Sequence, residues 1–339
     1  MHIKSLNVEE LSREMKRNKL LVIQEVSEKK ARQWLFQGER LTQLRNNPQA
    51  DLFPEGADIF LVCDDDGACQ QYAAKVAERG FNVRYLAGGH LAWNQYYHPV
   101  LVGFDEQVKV WQIHRLANGY LSYMIAAGEK TLIVDPSYHI DYYLGFAHSK
   151  QTDIRCVVDT QVHRDHVSGG ARLAAKTSSP YYIPSHDHLQ AESEPLEQQH
   201  ALSLGEAHIE VVVFSQDSDD ATQKVGLLVN NQFLLTGDLP LRDSEFSRFI
   251  TDHPTLKQAS DATVVLPAHR RVRAVVNEHG IVATTLGELK KERRLNSATG
   301  RSITVQEQQV NEQEIYNINL TQKKIDLDKA NELELGITD

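Results

Sequence analysis

Twelve consecutive residues near the middle of the chain read Asp159-Thr160-Gln161-Val162-His163-Arg164-Asp165-His166-Val167-Ser168-Gly169-Gly170. They follow an apolar, β-branched run (154–158) and precede a helix-like segment (171–176), which predicts a strand, a tight polar loop and a helix. Imidazole and carboxylate groups on such a loop can converge on a divalent metal. A polar turn with two solvated histidines is the alternative, and the partner segments that follow later in the chain disfavour it.

The same residues resemble the metal-binding signature of the metallo-β-lactamase fold, T-H-x-H-x-D-H, with one change: Gln161 stands at the first histidine position. The resemblance implies two adjacent cation sites in one cleft. The substitution at Gln161 bears on the first of these sites.

Length and composition allow two domains with substantial cores, because the chain has 339 residues of which 41% are hydrophobic. The formal net charge of −10 argues against nucleic acid or an anionic membrane as a main partner. Residues 1–19 have no apolar core of signal-peptide length and no run approaches a membrane span, so we expect a cytoplasmic protein. The three cysteines (Cys63, Cys69 and Cys156) imply no disulfide scaffold.

Residues 1–100 predict a small α/β domain. Buried strands are expected at 20–23 and 58–62, and the second runs directly into Cys63. Helices are expected at 8–15, 27–40 and 70–79. A thiolate at Cys63 would face the N-terminus of the third helix, where backbone N–H groups stabilise negative charge.

This half of the chain resembles a rhodanese domain. The resemblance rests on the loop after Cys63, the helix exit Arg79-Gly80-Phe81, and the closing run Leu86-Ala87-Gly88-Gly89-His90-Leu91-Ala92-Trp93. It implies that Cys63 is a catalytic residue that carries a persulfide. Where the family has glycine and basic residues after this cysteine, the chain has Asp64-Asp65-Asp66, and three carboxylates raise a thiol pKa and repel anionic sulfur donors. A structural cysteine in an inactive module is the alternative.

Cys69 falls in the first turn of the predicted helix. It could resolve a persulfide or a disulfide on Cys63, but we favour a plain helix-start residue. Cys156 lies inside a buried strand and is expected to be a core residue.

Residues 101–109 are interpreted as a linker, and 110–339 as a second domain. Compact strands with turn signals between them are predicted at 110–116, 120–126, 131–135, 209–214, 224–229, 232–236 and 263–266, with a helix at 140–148. The order of these elements resembles the αββα sandwich of the metallo-β-lactamase fold. The expected architecture is therefore α/β and α+β: a rhodanese-like domain followed by this sandwich.

The resemblance carries a ligand set for the second cation site onto Asp165, His166, Asp238 and His269. Two imidazoles and two carboxylates suit one divalent metal, either zinc, iron or manganese. A metal-free network is less favoured, because the adjacent carboxylates would repel one another.

The resemblance implies a degenerate first site, because Gln161 replaces one histidine of the family pattern and Gln216 aligns with another. An amide is a poorer donor to a transition metal than imidazole, although it can make similar hydrogen bonds. The interpretation is a pocket that keeps its shape after losing a metal; neutral drift is the alternative. His163, the remaining imidazole of this site, is a catalytic candidate as a general acid/base, or only a hydrogen-bonding member of the cleft.

The C-terminal part, including 284–296, 323–326 and 330–336, resembles the end of persulfide dioxygenases, which are relatives of glyoxalase II. The resemblance implies a sulfur-metabolism protein that acts on or carries thiol persulfides. Its partner would be a low-molecular-weight thiol or persulfide, and a homo-oligomer is possible. Two alternatives remain open: a non-catalytic sulfur carrier, sensor or partner protein, and a single-metal thioester hydrolase.

Overall fold

The structure is a computed structural model that describes residues 3–17, 21–25, 42–43, 58–63, 66–164, 166–184, 192–197, 201–214, 224–239, 253–269, 279–291, 319, 325–326 and 329–330. The chain divides into two compact units. Unit 1 comprises Met1–Tyr97, Arg115–Asn118 and Leu335–Asp339, and unit 2 comprises His98–His114 and Gly119–Glu334.

Unit 1 is a parallel α/β sheet with helices. Its elements are β1 (Ile3–Leu6), α1 (Val8–Arg17), β2 (Leu21–Glu25), β3 (Thr42–Gln43), β4 (Asp58–Cys63), α2 (Asp66–Ala77), β5 (Asn82–Leu86) and α3 (Gly89–Asn94). The strands lie in the order β1-β5-β4-β2-β3, and all their pairings are parallel. A sheet of this kind needs apolar cover on both faces.

Alternate side chains of the central strand β4 belong to two different apolar clusters. Phe60 and Val62 belong to one apolar cluster, whereas Ile59 and Leu61 belong to another that also contains Cys63. Successive side chains of a strand point to opposite faces, so an unbroken apolar run of this kind is buried on both sides.

Unit 2 contains two larger sheets. The seven-stranded sheet has the order β12-β11-β10-β9-β8-β7-β6 and the six-stranded sheet has the order β13-β14-β15-β16-β17-β18. The strands of the first sheet are β6 (Tyr97–Phe104), β7 (Lys109–Arg115), β8 (Tyr120–Ala127), β9 (Lys130–Val134), β10 (Asp153–Val158), β11 (Tyr181–Pro184) and β12 (Glu194–Leu196). Those of the second are β13 (Ala201–Leu204), β14 (Ala207–Phe214), β15 (Lys224–Val229), β16 (Phe233–Leu235), β17 (Val264–Leu266) and β18 (Thr284–Thr285).

The two sheets of unit 2 pack face to face. One apolar cluster joins Leu121 and Val134 of the first sheet to Ile209 and Leu227 of the second. Helices α4 (Ile140–Ser149) and α5 (Gly170–Thr177) contact β10 of the first sheet, while Leu256 of α6 (Pro254–Gln258) joins a separate cluster on the second sheet with Leu228. This arrangement agrees with the predicted αββα sandwich.

Most predicted strands are found within one or two residues of their expected ends, such as β15 at Lys224–Val229. The predicted linker 101–109 differs, because its first four residues continue β6, which borders β7 in the sheet. The predicted helix at 27–40 lies outside the described residues. Within the part of the chain that is described, no helix is both long and apolar enough to cross a membrane.

Candidate metal centre

The signature loop leaves β10 at Asp159 and ends where α5 begins at Gly170. Its tight path needs glycine at the end of the loop. A Cβ on Gly169 would lie 2.1 Å from the carbonyl oxygen of Ser137, and one on Gly170 would lie 2.9 Å from a carboxylate oxygen of Asp159. Side chains at these two positions would therefore displace the neighbouring backbone or the Asp159 carboxylate.

Asp135, which directly follows β9, fixes the start of the loop. Its Oδ1 accepts a hydrogen bond from the backbone N–H of Thr160 (2.7 Å), and its Oδ2 accepts one from the Thr160 hydroxyl (2.9 Å). Asp135 itself has φ of +51°, an uncommon conformation for a non-glycine residue. Strained residues of this kind often occur at functional sites.

Asp159, the first residue of the signature loop, is a second buried carboxylate. Its Oδ2 accepts hydrogen bonds from Ser168 Oγ and from the Tyr181 hydroxyl, the latter at 2.7 Å. Its Oδ1 has no hydrogen-bond partner among the described residues. Burial raises the pKa of Asp159, and the hydrogen bonds from Ser168 and Tyr181 only partly oppose this.

Asn319 holds the loop from the far end of the chain. Its side-chain Nδ2 donates to the backbone carbonyls of His163 (3.0 Å) and His166 (2.9 Å), and its Oδ1 accepts the backbone N–H of Ser168 (2.9 Å). One buried amide thus satisfies three backbone groups of the loop, about 150 residues away in sequence.

His163 connects the buried carboxylates to the cleft. Its Nε2 lies 3.1 Å from Asp135 Oδ1, and its Nδ1 lies 3.9 Å from Asp238 Oδ2. Burial alone would lower the pKa of His163, but the negative charge of Asp135 outweighs it, so the pKa is raised well above its usual value. Hydrogen bonding of one imidazole nitrogen to a carboxylate is the usual way in which a protein orients a metal-binding histidine.

The predicted ligand Asp238 lies between Gln161 and His269. Gln161 Nε2 donates a hydrogen bond to Asp238 Oδ2, while His269 Nε2 lies 3.0 Å from Asp238 Oδ1. Gly237 before it has φ of +59°, and a Cβ there would lie 2.6 Å from Thr160 Oγ1, so the Asp238 loop can approach the signature loop only with glycine at this position.

Tyr120 lies among the three histidines of the site. Its ring centroid is 3.8 Å from that of His166, 5.6 Å from that of His269 and 6.3 Å from that of His163. Its hydroxyl donates to the backbone carbonyl of Asp135. Tyr120 also pairs with His269 in an isolated antiparallel bridge, which brings the predicted late histidine to the loop.

The structure therefore brings together His163, His166, Asp238, His269 and the degenerate position Gln161. Asp165 and Gln216, the other two predicted site residues, lie outside the described residues. His163 and His166 are fully buried, whereas the side chains of Asp238 and His269 are 16% and 23% exposed. Access to the site from solvent is therefore on the side of Asp238 and His269.

Among the described residues, one group of side chains could hold a metal ion. It is the buried triad of Asp135, Asp159 and His163, whose ligand atoms all lie within 4.8 Å of one another. The described members of the predicted set, His166, Asp238 and His269, do not form a second group as compact as this triad. Sequence reasoning did not assign a role to Asp135 or Asp159, although an Asp that directly follows a buried strand is a recognisable signal.

Cys63, the predicted catalytic residue of unit 1, is bonded to Cys69 in a disulfide. The interpretation of Cys69 as a plain helix-start residue was therefore wrong, and the alternative, a partner for Cys63 in a disulfide, is what the structure shows. The two positions are six apart in sequence, and the turn from β4 into α2 brings them together. Cys156 is the buried free thiol that was expected, and burial raises its pKa to about 12.

Comparison with known proteins shows the fold of this chain and no more. No family model and no curated protein sequence matches it. A metallo-β-lactamase from Staphylococcus aureus is similar in structure, with 14% identity, a TM-score of 0.50, and coverage of 65% of this chain and 74% of that chain. Weaker likenesses include ETHE1 from Myxococcus xanthus (18% identity, 71% of this chain, 97% of that chain, TM-score 0.44) and the BLEG-1 B3 metallo-β-lactamase (14%, 57%, 95%, TM-score 0.38). The chain contains a metallo-β-lactamase fold.

Proposed function

We propose that this chain is a sulfur-metabolism protein that binds one divalent cation and acts on a thiol persulfide. The cation ligands in this proposal are Asp165, His166, Asp238 and His269. The observation that carries it is the hydrogen bond from Gln161 Nε2 to Asp238 Oδ2.

That hydrogen bond supports one cation rather than two. An aspartate that bridges two cations with one oxygen on each needs both oxygens, and here Oδ2 accepts an amide N–H instead. The orientation of the amide follows from charge, because Gln161 Oε1 turned towards the carboxylate would be repelled. Only Oδ1, on the side of His269, remains for a cation.

The remaining donor set suits zinc, iron or manganese, since it combines imidazole nitrogens with carboxylate oxygens. When bound, such a cation supplies Lewis-acid polarisation and a fixed template for a sulfur substrate. The buried triad is less suitable, because both oxygens of Asp135 already accept hydrogen bonds from Thr160.

His163 has a separate role in this proposal. Its hydrogen bond to Asp135 keeps a proton on Nε2 and leaves Nδ1 towards Asp238 and the cleft. Nδ1 has no hydrogen-bond partner among the described residues and can exchange a proton with a substrate thiol. Asp135 is therefore a positioning residue for His163.

The choice of substrate rests on sequence resemblance at both ends of the chain. The C-terminal segment resembles that of persulfide dioxygenases, and unit 1 places Cys63 at the end of β4 before the N-terminus of α2, as a rhodanese-like carrier of sulfane sulfur would require. The proposal therefore includes a rhodanese-like role for unit 1 and a thiol persulfide as the small-molecule partner.

A non-catalytic carrier is the second candidate, and one observation favours it. Gln161 and His269 already engage both sides of the Asp238 carboxylate without a cation. If protein purified without a tag contains no metal and keeps these contacts of Asp238, the carrier or sensor of sulfur is the favoured function.

Turnover of persulfides tests the proposal. The protein is loaded with iron(II), zinc or manganese and incubated with the persulfides of glutathione, coenzyme A and bacillithiol, while oxygen uptake and persulfide loss are followed. We expect metal-dependent consumption of at least one persulfide, which His269→Ala abolishes. Absence of turnover under every metal favours the carrier, whereas release of free thiol from an S-lactoyl-thiol favours the thioester hydrolase.

A further inference from the structure

The disulfide between Cys63 and Cys69 is a chemical site of its own in unit 1. Cys63 is the last residue of β4, and Cys69 lies in the first turn of α2. Both side chains are fully buried, and their Cα atoms are 5.4 Å apart. This separation is within the range that a disulfide bridges without movement of the backbone.

The two elements that carry the cysteines are also held by other contacts. β4 pairs on both sides, with β2 and with β5, and α2 packs through Ala73 and Val76 against Ile59 and Leu61 of β4. The stabilisation by a disulfide grows with the length of the loop that it closes, and six residues of separation make a short loop. The dithiol form therefore has nearly all the native contacts of the disulfide form.

Burial among apolar side chains disfavours a thiolate at Cys69, but the position of Cys69 at the start of α2 offsets part of this cost. The first turn of α2 has backbone N–H groups without helical partners, and these groups and the helix dipole stabilise negative charge. The carboxylate in the same turn, Asp66, is engaged with the backbone N–H of Gly88 at 2.6 Å. A sulfur whose thiolate is stabilised is the better leaving group in thiol–disulfide exchange.

The start of α2, next to the disulfide, is at the surface. Asp66 and Gly67 are exposed and Ala68 is partly buried. Opening of this first turn of α2 would therefore expose Cys69 and its disulfide to a small thiol.

We propose that Cys63 and Cys69 form a reversible dithiol–disulfide centre that exchanges with low-molecular-weight thiols. A thiolate of the small thiol attacks Cys63 Sγ, the bond between the cysteine sulfurs breaks, and its electron pair goes to Cys69 Sγ as a thiolate. A second small thiolate then attacks the mixed disulfide on Cys63 at the sulfur of the small thiol. Cys63 leaves as a thiolate, and the symmetrical small disulfide is released.

Two electrons pass in this sequence from two small thiols to the two cysteines, which also take up the two protons. The reverse sequence, driven by the small disulfide, closes the bond again. The centre does not depend on a metal in unit 2. One consequence rests on the proposed function. If Cys63 carries sulfane sulfur, it can accept that sulfur only when the two cysteines are in the dithiol form.

A redox titration of the native full-length chain tests the proposal. Cys156→Ala provides the background, because it removes the third thiol. The protein is equilibrated with mixtures of reduced and oxidised glutathione, quenched, alkylated and analysed by mass spectrometry. We expect zero alkylated cysteines at the oxidising end, two at the reducing end, and one reversible transition between them in folded protein.

Two results would overturn the proposal. In the first, the disulfide resists excess reduced glutathione until the protein is unfolded, which marks a structural bond. In the second, both thiols stay free in excess oxidised glutathione. Loss of metal binding or persulfide turnover in unit 2 would not change the outcome of this titration. Failure of the proposed function can therefore be distinguished from failure of the dithiol–disulfide proposal.

Single-cysteine variants test the order of attack. In the same Cys156→Ala background, Cys69→Ser is expected to accumulate a glutathione mixed disulfide on Cys63 several-fold more than Cys63→Ser accumulates one on Cys69. Equal labelling would contradict the assignment of Cys63 as the attacked sulfur. Circular dichroism checks that both variants fold, and the titration of the two-cysteine protein decides the reversible centre without them.

Discussion

The side-chain amide of Gln161 donates a hydrogen bond to Oδ2 of Asp238, and Oδ1 of the same carboxylate lies 3.0 Å from His269 Nε2. The amide therefore occupies the oxygen on one side of Asp238, and the other oxygen lies towards His269. This arrangement is the basis of the proposed site for one cation.

Removal of the imidazole of His269 is expected to abolish metal binding. Among the described residues of the proposed site, His269 and Asp238 are the donors that solvent reaches, and without His269 the Asp238 carboxylate loses its partner on the solvent side. His269→Ala should contain less than about a tenth of the wild-type metal, because loss of a ligand costs several kcal/mol of metal affinity. Plasma emission spectrometry measures the content.

His208→Ala is the matched control for this experiment. His208 is an exposed imidazole on β14, so it tests whether the loss of any histidine lowers the metal content. Equal metal in wild type and both variants would show that the cation, if present, binds elsewhere.

Asn319→Ala is expected to weaken metal binding without direct contact with the cation. The substitution leaves the carbonyls of His163 and His166 without their donor, and each buried unsatisfied group costs about 1–3 kcal/mol. Outer hydrogen bonds of this kind typically contribute about 10- to 100-fold in metal affinity. Competition with a chromophoric chelator measures the affinity.

Asn319→Asp separates loop positioning from side-chain volume. Aspartate has nearly the same size, but its oxygens would oppose the two carbonyls, so it should weaken binding at least as much as alanine. If Asn319→Asp binds metal like the wild type while the protein stays folded, the positioning role is wrong.

The hydrogen bonds of Glu288 are expected to make the free energy of unfolding fall slightly at acid pH. Glu288 Oε2 accepts hydrogen bonds from the Thr284 hydroxyl and the Thr285 backbone N–H, and these lower the pKa of Glu288. A carboxyl with a lowered pKa in the folded state stabilises above its unfolded pKa of about 4.3 and loses this effect as the pH falls through its folded value. The contribution is small, because the group is exposed.

Thr285→Ala should lower the free energy of unfolding of unit 2 by about 1 kcal/mol at neutral pH, since Thr285 Oγ1 also accepts the backbone N–H of Glu288. Glu288→Gln should remove part of the acid dependence between about pH 5 and the folded pKa. Urea unfolding at several pH values measures both effects. An unchanged acid limb in Glu288→Gln would contradict this account.

Cys156 is expected to resist thiol reagents in the folded protein. Burial, with a smaller effect of the Glu194 charge, raises the pKa of Cys156 to about 12, so on the order of one in ten thousand of these thiols is ionised at pH 8. A chromogenic disulfide reagent should therefore label Cys156 only after unfolding. Rapid labelling in native Cys63→Ser/Cys69→Ser protein would show that the strand β10 opens more readily than its buried position implies.

The sequence allowed most of the strands in unit 2 to be predicted, because each combines β-branched residues with a clear turn signal. β15 and β8 are examples. The proximity of Asp238 and His269 also followed, since these residues come after β16 and β17, which are neighbouring parallel strands of one sheet. β6 was missed, because Pro99 and Gly103 break its pattern.

Other parts of the site depend on contacts that sequence patterns do not encode. Asn319 reaches the loop from about 150 residues downstream, and a single asparagine carries no signal for such a contact. The pairing of Cys63 with Cys69 depends on how tightly β4 turns into α2. Asp135 could have been found, because it directly follows a buried strand, as Asp159 does at the start of the signature loop.

The most direct test of a scaffold with one cation is a crystal structure with anomalous diffraction recorded at the metal edge. The account predicts one cation per chain, bound by Asp165, His166, Asp238 and His269, with Gln161 hydrogen-bonded to Asp238 and away from the metal. A second cation beside His163, a cation bound directly by Gln161, or His269 too far from Asp165 to share an ion would contradict it.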